Sequence, residues 1–242
     1  MPGVALAATG AAPRAGLSHL VCQRALDPPA RAVSVTASMR PVQGTSKMAV
    51  NFHLLERPAG TRSYQRLSGA GLNTWISKDF GRRPGDVWRV IHPVADLAAP
   101  AAYRFVVDFR WSGSDGKVLA RASRVSHVCR QPELRPHLVV RSIQVAADPQ
   151  RAGADFYYAR IANTGATGAG PFLVRLSDAG TVRDVTVQHL RAHSGKTVRL
   201  AGPSCDASEP PTVTVDPTDE VDVSSREGAT MSAACPAPAG SS

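Results

Sequence analysis

The stretch that decides the fold is residues 97–111, LAAPAAYRFVVDFRW. Tyr103, Phe105, Val107, Phe109 and Trp111 take every second position, and Arg104, Val106, Asp108 and Arg110 fill the places between them. Successive side chains of a strand point to opposite faces, so this alternation predicts a strand with one face in a core. The chain then passes through SGSDGK, with Asp115-Gly116, into VLARASRVSHVC. Asp-Gly between two apolar runs is a hairpin signal, because the tight turn needs positive φ angles that these residues tolerate.

Upstream, DVWRVIHPV (residues 86–94) predicts a short strand ended by its proline. Met48, Val50, Phe52 and Leu54 share one face of another strand, with Ala49, Asn51, His53 and Leu55 on the other. After Pro28-Pro29, Val33, Val35, Ala37 and Met39 alternate with Ser34, Thr36, Ser38 and Arg40. Between these runs lies a looser stretch holding Tyr64, Leu72, Trp75 and Ile76 among Gly and Ser. No helical period is sustained between residues 30 and 130, so this half is all-β. Downstream, Gln131-Pro132 to Pro136 reads as a proline-flanked linker. HLVVRSIQV, DFYYARIANTG, GPFLVRLSD, VRDVTVQHLRAHSGKTVRLAG and TVTVDPTDEVD then form a second set of strands.

Two resemblances sharpen this. Leu97, Pro100 and Tyr103 resemble the Leu-x-Pro-x-x-x-Tyr corner of fibronectin type III and related immunoglobulin-like modules, whose tyrosine hydroxyl pins the loop before its strand. Cysteines are a departure from type III modules. The second half resembles the bacterial CARDB (cell-adhesion-related) family. Leu138-Val139-Val140 with Ile143 and Val145 matches its opening strand, and Ile161-Ala162-Asn163-Thr164-Gly165 its "V.N.G" strand end. Gly170-Pro171-Phe172 through Leu176, then Leu190, Gly195 and Val198, then Val215-Asp216-Pro217 with Val221, follow in the family's order. The closing Glu and Asn-Asn of that family are replaced by Asp222-Val223-Ser224 and Arg226-Glu227-Gly228. The expected fold class is therefore all-β, with two tandem immunoglobulin-like β-sandwich domains. Residues 1–16 are expected to be a disordered arm or signal-peptide remnant, 17–131 the first sandwich, 132–236 the second, and 237–242 a disordered tail.

Length and composition agree: 242 residues accommodate two sandwiches of roughly 100 residues each. The net charge of +9 is uneven. Residues 1–131 carry 18 basic and 7 acidic residues, net +11, and the remainder carries 10 and 12, net −2. A basic half suits contact with a polyanion such as an anionic cell-wall polymer, a lipid surface or nucleic acid, though an arginine-rich soluble surface is the plainer explanation. Lys78, Arg82 and Arg83, beside Phe80, are the candidate polyanion contact. Nucleic-acid readers show denser cations with stacking platforms, which argues against nucleic acid.

The four cysteines, Cys22, Cys129, Cys205 and Cys235, form no CxxC pair and stand near no histidine at zinc spacing. Four cysteines allow three pairings. Pairing within each half gives Cys22–Cys129 and Cys205–Cys235, and persistent disulfides imply an oxidising compartment. Val4–Ala8, with Ala5-Leu6-Ala7 as a small-x-small site, resembles the end of a signal peptide without its basic and long apolar regions. No run of about 18 apolar residues predicts a transmembrane helix.

Motifs for catalysis are missing: there is no GxSxG, HExxH or P-loop. His189 and His193 are four apart, but TVQHLRAHSG reads as a strand entering a turn, which separates the imidazoles. Asp216, Asp219, Glu220 and Asp222 offer hard oxygens for Ca²⁺ without an EF-hand's spacing or glycine. No catalytic residue, cofactor or metal is expected. The expected function is that of an exported, non-catalytic binding or adhesion module, secreted or envelope-associated, whose partner is an extracellular protein or carbohydrate. An accessory or inhibitor domain of an extracellular enzyme system is the alternative, and a hydrolase without a recognised motif a third.

Overall fold

The alternating segment forms β7 (Ala101–Ser112), whose inward residues Tyr103, Phe105, Val107, Phe109 and Trp111 are all fully buried. It pairs along twelve residues with β3 (Lys47–Pro58), which puts Phe52 opposite Val107 and Leu54 opposite Phe105. The computed structural model describes residues 14–69, 71–79, 86–178 and 180–236. The chain divides between Pro132 and Glu133 into two units, each an immunoglobulin-like sandwich.

In the first unit, β1 (Ala15–Gln23), β2 (Ala32–Met39) and β6 (Trp88–Val94) form a three-stranded antiparallel sheet in the order β1-β2-β6. The facing sheet runs β4 (Gln65–Arg66), β3, β7, β8 (Val118–Val125), with β5 (Trp75–Asp79) also on β3 and β9 (Cys129–Gln131) also on β7. Val33, Val35, Ala37 and Met39 of β2 meet Met48, Val50, Phe52 and Leu54 of β3 across the core. The Phe52 ring stands edge-on to Phe105 at 6.2 Å and is stacked by His92 at 4.8 Å. Burial lowers the His92 pKa, so this histidine serves the core as a neutral ring.

Two expectations are corrected here. Pro93 does not end its strand but pairs with Ser34 inside β6. That strand is at a sheet edge, the place where a missing N–H breaks no ladder. The first sandwich also begins before residue 17, because β1 already pairs Ala15 with Met39. The rest of the proposed arm, residues 1–13, and the tail at 237–242 lie outside the described residues. Tyr103 forms the corner: its hydroxyl lies 2.8 Å from the Ala98 carbonyl and 2.7 Å from Glu56 Oε1.

The second unit repeats the layout. β10 (Leu138–Ala147), β11 (Ala154–Asn163) and β14 (Ser194–Pro203) form one sheet, in that order. β13 (Thr181–Val187), β12 (Phe172–Asp178), β15 (Thr212–Val215) and β16 (Thr230–Ser232) form the other. The run read as VRDVTVQHLRAHSGKTVRLAG is thus two strands in opposite sheets. Tyr157, Ile161, Phe172, Leu176, Val213 and Val215 are among its fully buried side chains.

The Asn163-Thr164-Gly165 turn locks the start of β10. Asn163, almost wholly buried, accepts from the amides of His137 and Gly165 and donates to the carbonyls of Thr167 and Leu190. A Cβ on Gly165 would stand 2.5 Å from His137 N and 2.6 Å from the Pro136 carbonyl carbon, both backbone atoms that cannot swing aside. Gly165→Ala therefore forces two chain segments apart. We expect it to destabilise the second unit by about 2–3 kcal/mol, read from the part of the far-ultraviolet urea transition that tryptophan fluorescence, confined to the first unit, does not follow.

Candidate functional site

Strand β3 has both faces covered: Ala49, Asn51 and His53, on the face away from the core, are buried as well. Their cover is a polar layer assembled across four strands of the larger sheet. Register places Trp75, Asn51, Asp108 and Ser123 in one row across β5, β3, β7 and β8. Ser77, Ala49, Arg110 and Arg121 form the next row. An open groove of about 590 Å³ runs over them, lined by Trp75, Asp108, Arg110, Arg121 and Ser123.

The Arg110 guanidinium lies 4.4 Å from the centre of the Trp75 ring, and that ring remains 39% exposed. Stacking fixes the guanidinium plane and leaves its in-plane N–H groups for other partners. Arg121 is directly opposite Arg110 on the neighbouring strand. Neither forms an ion pair among the described residues. Like charges directly opposite on antiparallel strands repel. Farther along the same face, Arg104 and Arg57 lie 4.0 Å and 5.3 Å from the Tyr64 ring.

His53 anchors the groove floor from below. Its Nε2 is 3.0 Å from Asp108 Oδ2 and its Nδ1 2.7 Å from Asn73 Oδ1, while Asn73 Nδ2 donates to the Leu67 carbonyl. With both ring nitrogens engaged, this His–Asp pair has no free nitrogen to accept a substrate proton. Asn51 is 7% exposed, and its Oδ1 has no hydrogen-bond partner among the described residues.

No family model and no curated protein matches the chain. Solved structures with similarity include red sea bream transglutaminase, 12% identical over 84% of this chain and 29% of that one, with a TM-score of 0.30. The class 5 fimbriae chaperone CfaA is 8% identical over 90% of this chain and 99% of that one, TM-score 0.29. Exo-chitosanase CsxA of Amycolatopsis orientalis is 13% identical over 88% and 26%, TM-score 0.28.

Of the residues singled out from sequence, the cysteines pair as expected and the others among the described residues are placed elsewhere. Cys22–Cys129 and Cys205–Cys235 are both disulfides, one within each unit. Lys78 is exposed on edge strand β5, and alternation turns it to the side opposite Trp75 and Ser77, away from the groove. Arg82 and Arg83 lie outside the described residues. His189 precedes an isolated bridge at Leu190 and His193 sits in a turn, so no helix aligns them. Asp216 is turned inward rather than toward an ion. Its carboxylate accepts from the Glu220 and Val221 amides and from Arg226, which also pairs with Asp219. Among the described residues no three His, Cys, Asp or Glu side chains are placed to hold a metal, and no helix is long and apolar enough to cross a membrane.

A titrating group that sequence reading missed is Asp178, at the end of β12. It is 7% exposed, its Oδ2 has no partner among the described residues, and burial, then the Glu209 and Asp206 carboxylates, raise its pKa. A raised folded-state pKa means the folded unit binds this proton more tightly than the unfolded chain. Asp178 therefore adds stability at acid pH that is lost as pH rises through the raised value. Asp178→Asn should lift the second unit's melting temperature at neutral pH and lift it less near pH 4. Melting curves across that range check the sign: an equal shift at both ends would exclude titration as its source.

Proposed function

We propose that this chain is an exported, non-catalytic binding module that meets its partner through the groove face of the first sandwich. The observation that carries the reading is the cluster of Trp75, Arg110 and Arg121, which two adjacent rows bring together. An exposed tryptophan and two guanidinium groups without acidic partners among the described residues form a surface that the fold itself does not need. Both disulfides suit an oxidising, extracellular setting. The engaged nitrogens of His53 favour recognition over catalysis. In the second unit, the role of Asn163 and Gly165 in the strand-end turn agrees with the resemblance to the CARDB family, from which the adhesion reading comes.

The test is saturable binding of labelled protein to envelope preparations of the native host. A Trp75→Ala, Arg110→Ala variant serves as the comparison, and non-reducing peptide mapping of culture fluid and cytosol is run in parallel. Binding lost in the double variant, with disulfide-linked peptides in the culture fluid, is the expected result. Equal binding by the variant would remove this face from the proposal, and free thiols confined to the cytosol would overturn export.

A further inference from the structure

Resting on that reading, we infer that the groove over Trp75 and Arg121 binds an acidic polysaccharide, holding a sugar-acid carboxylate between Arg110 and Arg121. The two arginines face each other across β7 and β8 without an ion pair among the described residues. An oxyanion between them turns a repulsive pair into two charge-assisted contacts, and a planar carboxylate matches the guanidinium fork. Arg110 is already held for this by its stack on Trp75.

The choice of a sugar acid over other anions follows from the adjacent row. Asp108, whose Oδ2 is taken by His53, and Ser123 line the groove beside the two arginines and offer an acceptor and a hydroxyl there. The ligand must therefore present an anionic acceptor and hydroxyl donors a few ångströms apart, as a uronic acid does. A DNA phosphodiester supplies the anion but no donor. The two aromatic rings of this face already carry guanidinium groups, so they are poor platforms for stacked bases. A neutral glycan supplies hydroxyls but leaves the arginines unpaired.

Titration calorimetry of the full chain against polygalacturonate, dextran and oligothymidylate at physiological ionic strength tests this. Arg121→Ala is the probe. Arg124→Ala, exposed on the same strand but facing the other side, removes the same charge and is the control. We expect binding to polygalacturonate alone, weakened about tenfold or more by Arg121→Ala and less than about twofold by Arg124→Ala. Equal losses in the two variants, or oligothymidylate bound as tightly as polygalacturonate, would reduce the effect to general charge attraction and overturn the inference. Dextran binding abolished by Trp75→Ala would overturn the acidic ligand while leaving the binding face in place. Silence against all three polymers would also overturn it, and the envelope-binding result then decides separately whether the face binds anything.

Discussion

Replacing Cys22 and Cys129 together with serine lowers the stability of the first sandwich by about 3–5 kcal/mol. The bridge joins residues 107 apart in sequence, so in the unfolded chain it removes the freedom of a very long loop. At about 4–8 °C per kcal/mol, the melting temperature falls by roughly 15 °C or more. Trp75, Trp88 and Trp111, all three tryptophans of the chain, belong to this unit, so tryptophan fluorescence follows its unfolding alone. The matching replacement of Cys205 and Cys235, 30 residues apart, leaves that signal unchanged and costs its own unit roughly 1 kcal/mol less. A tryptophan transition unmoved by the first pair would mean that the bridge does not restrain the unfolded chain.

Phe105→Ala has an effect of similar size. The ring is fully buried and contacts Phe52 and His92 edge-on. Its removal takes away apolar burial and leaves a cavity that the two sheets close only in part, costing about 3–5 kcal/mol. Val106→Ala, one residue along and half-buried on the opposite face, is expected to cost less than about 1 kcal/mol. Urea unfolding of the two variants measures how strongly the two faces of β7 differ. Comparable losses would show that the groove face contributes as much packing as the core.

What was legible in sequence was whatever one strand carries by itself. The β7 alternation, the Asp115-Gly116 turn and the alternating faces of β2 and β3 are local patterns, and the sandwich follows from them. The cysteine pairing was legible because two cysteines fall in each half. Strand β1 was not, since its burial alternates weakly and its pairing with β2 is set by distant residues. Strand β16 is three residues long and too short to show a period. The groove was hidden for a different reason. Trp75 sits in a stretch without periodicity, and nothing within β3, β7 or β8 alone shows that Asn51, Arg110 and Arg121 become neighbours. Sheet register creates that site, and register is a property of strand pairs. Searching for adjacent cations pointed to Lys78, Arg82 and Arg83, whereas the arginines that meet are eleven residues apart, across a hairpin.

The same bridge has a mechanical consequence. Cys22 lies near the end of the first strand of its sandwich and Cys129 in the last. A tensile load applied along the chain from Ala15 to Pro132 can peel only the β1 pairs that precede Cys22. It then passes straight through the S–S bond, and the residues between the two cysteines carry none of it. The second sandwich is shielded only from Cys205 to Cys235. Under pulling, its first three strands and β13 and β14 are the elements that give way, so the chain joins a rigid link to an extensible one.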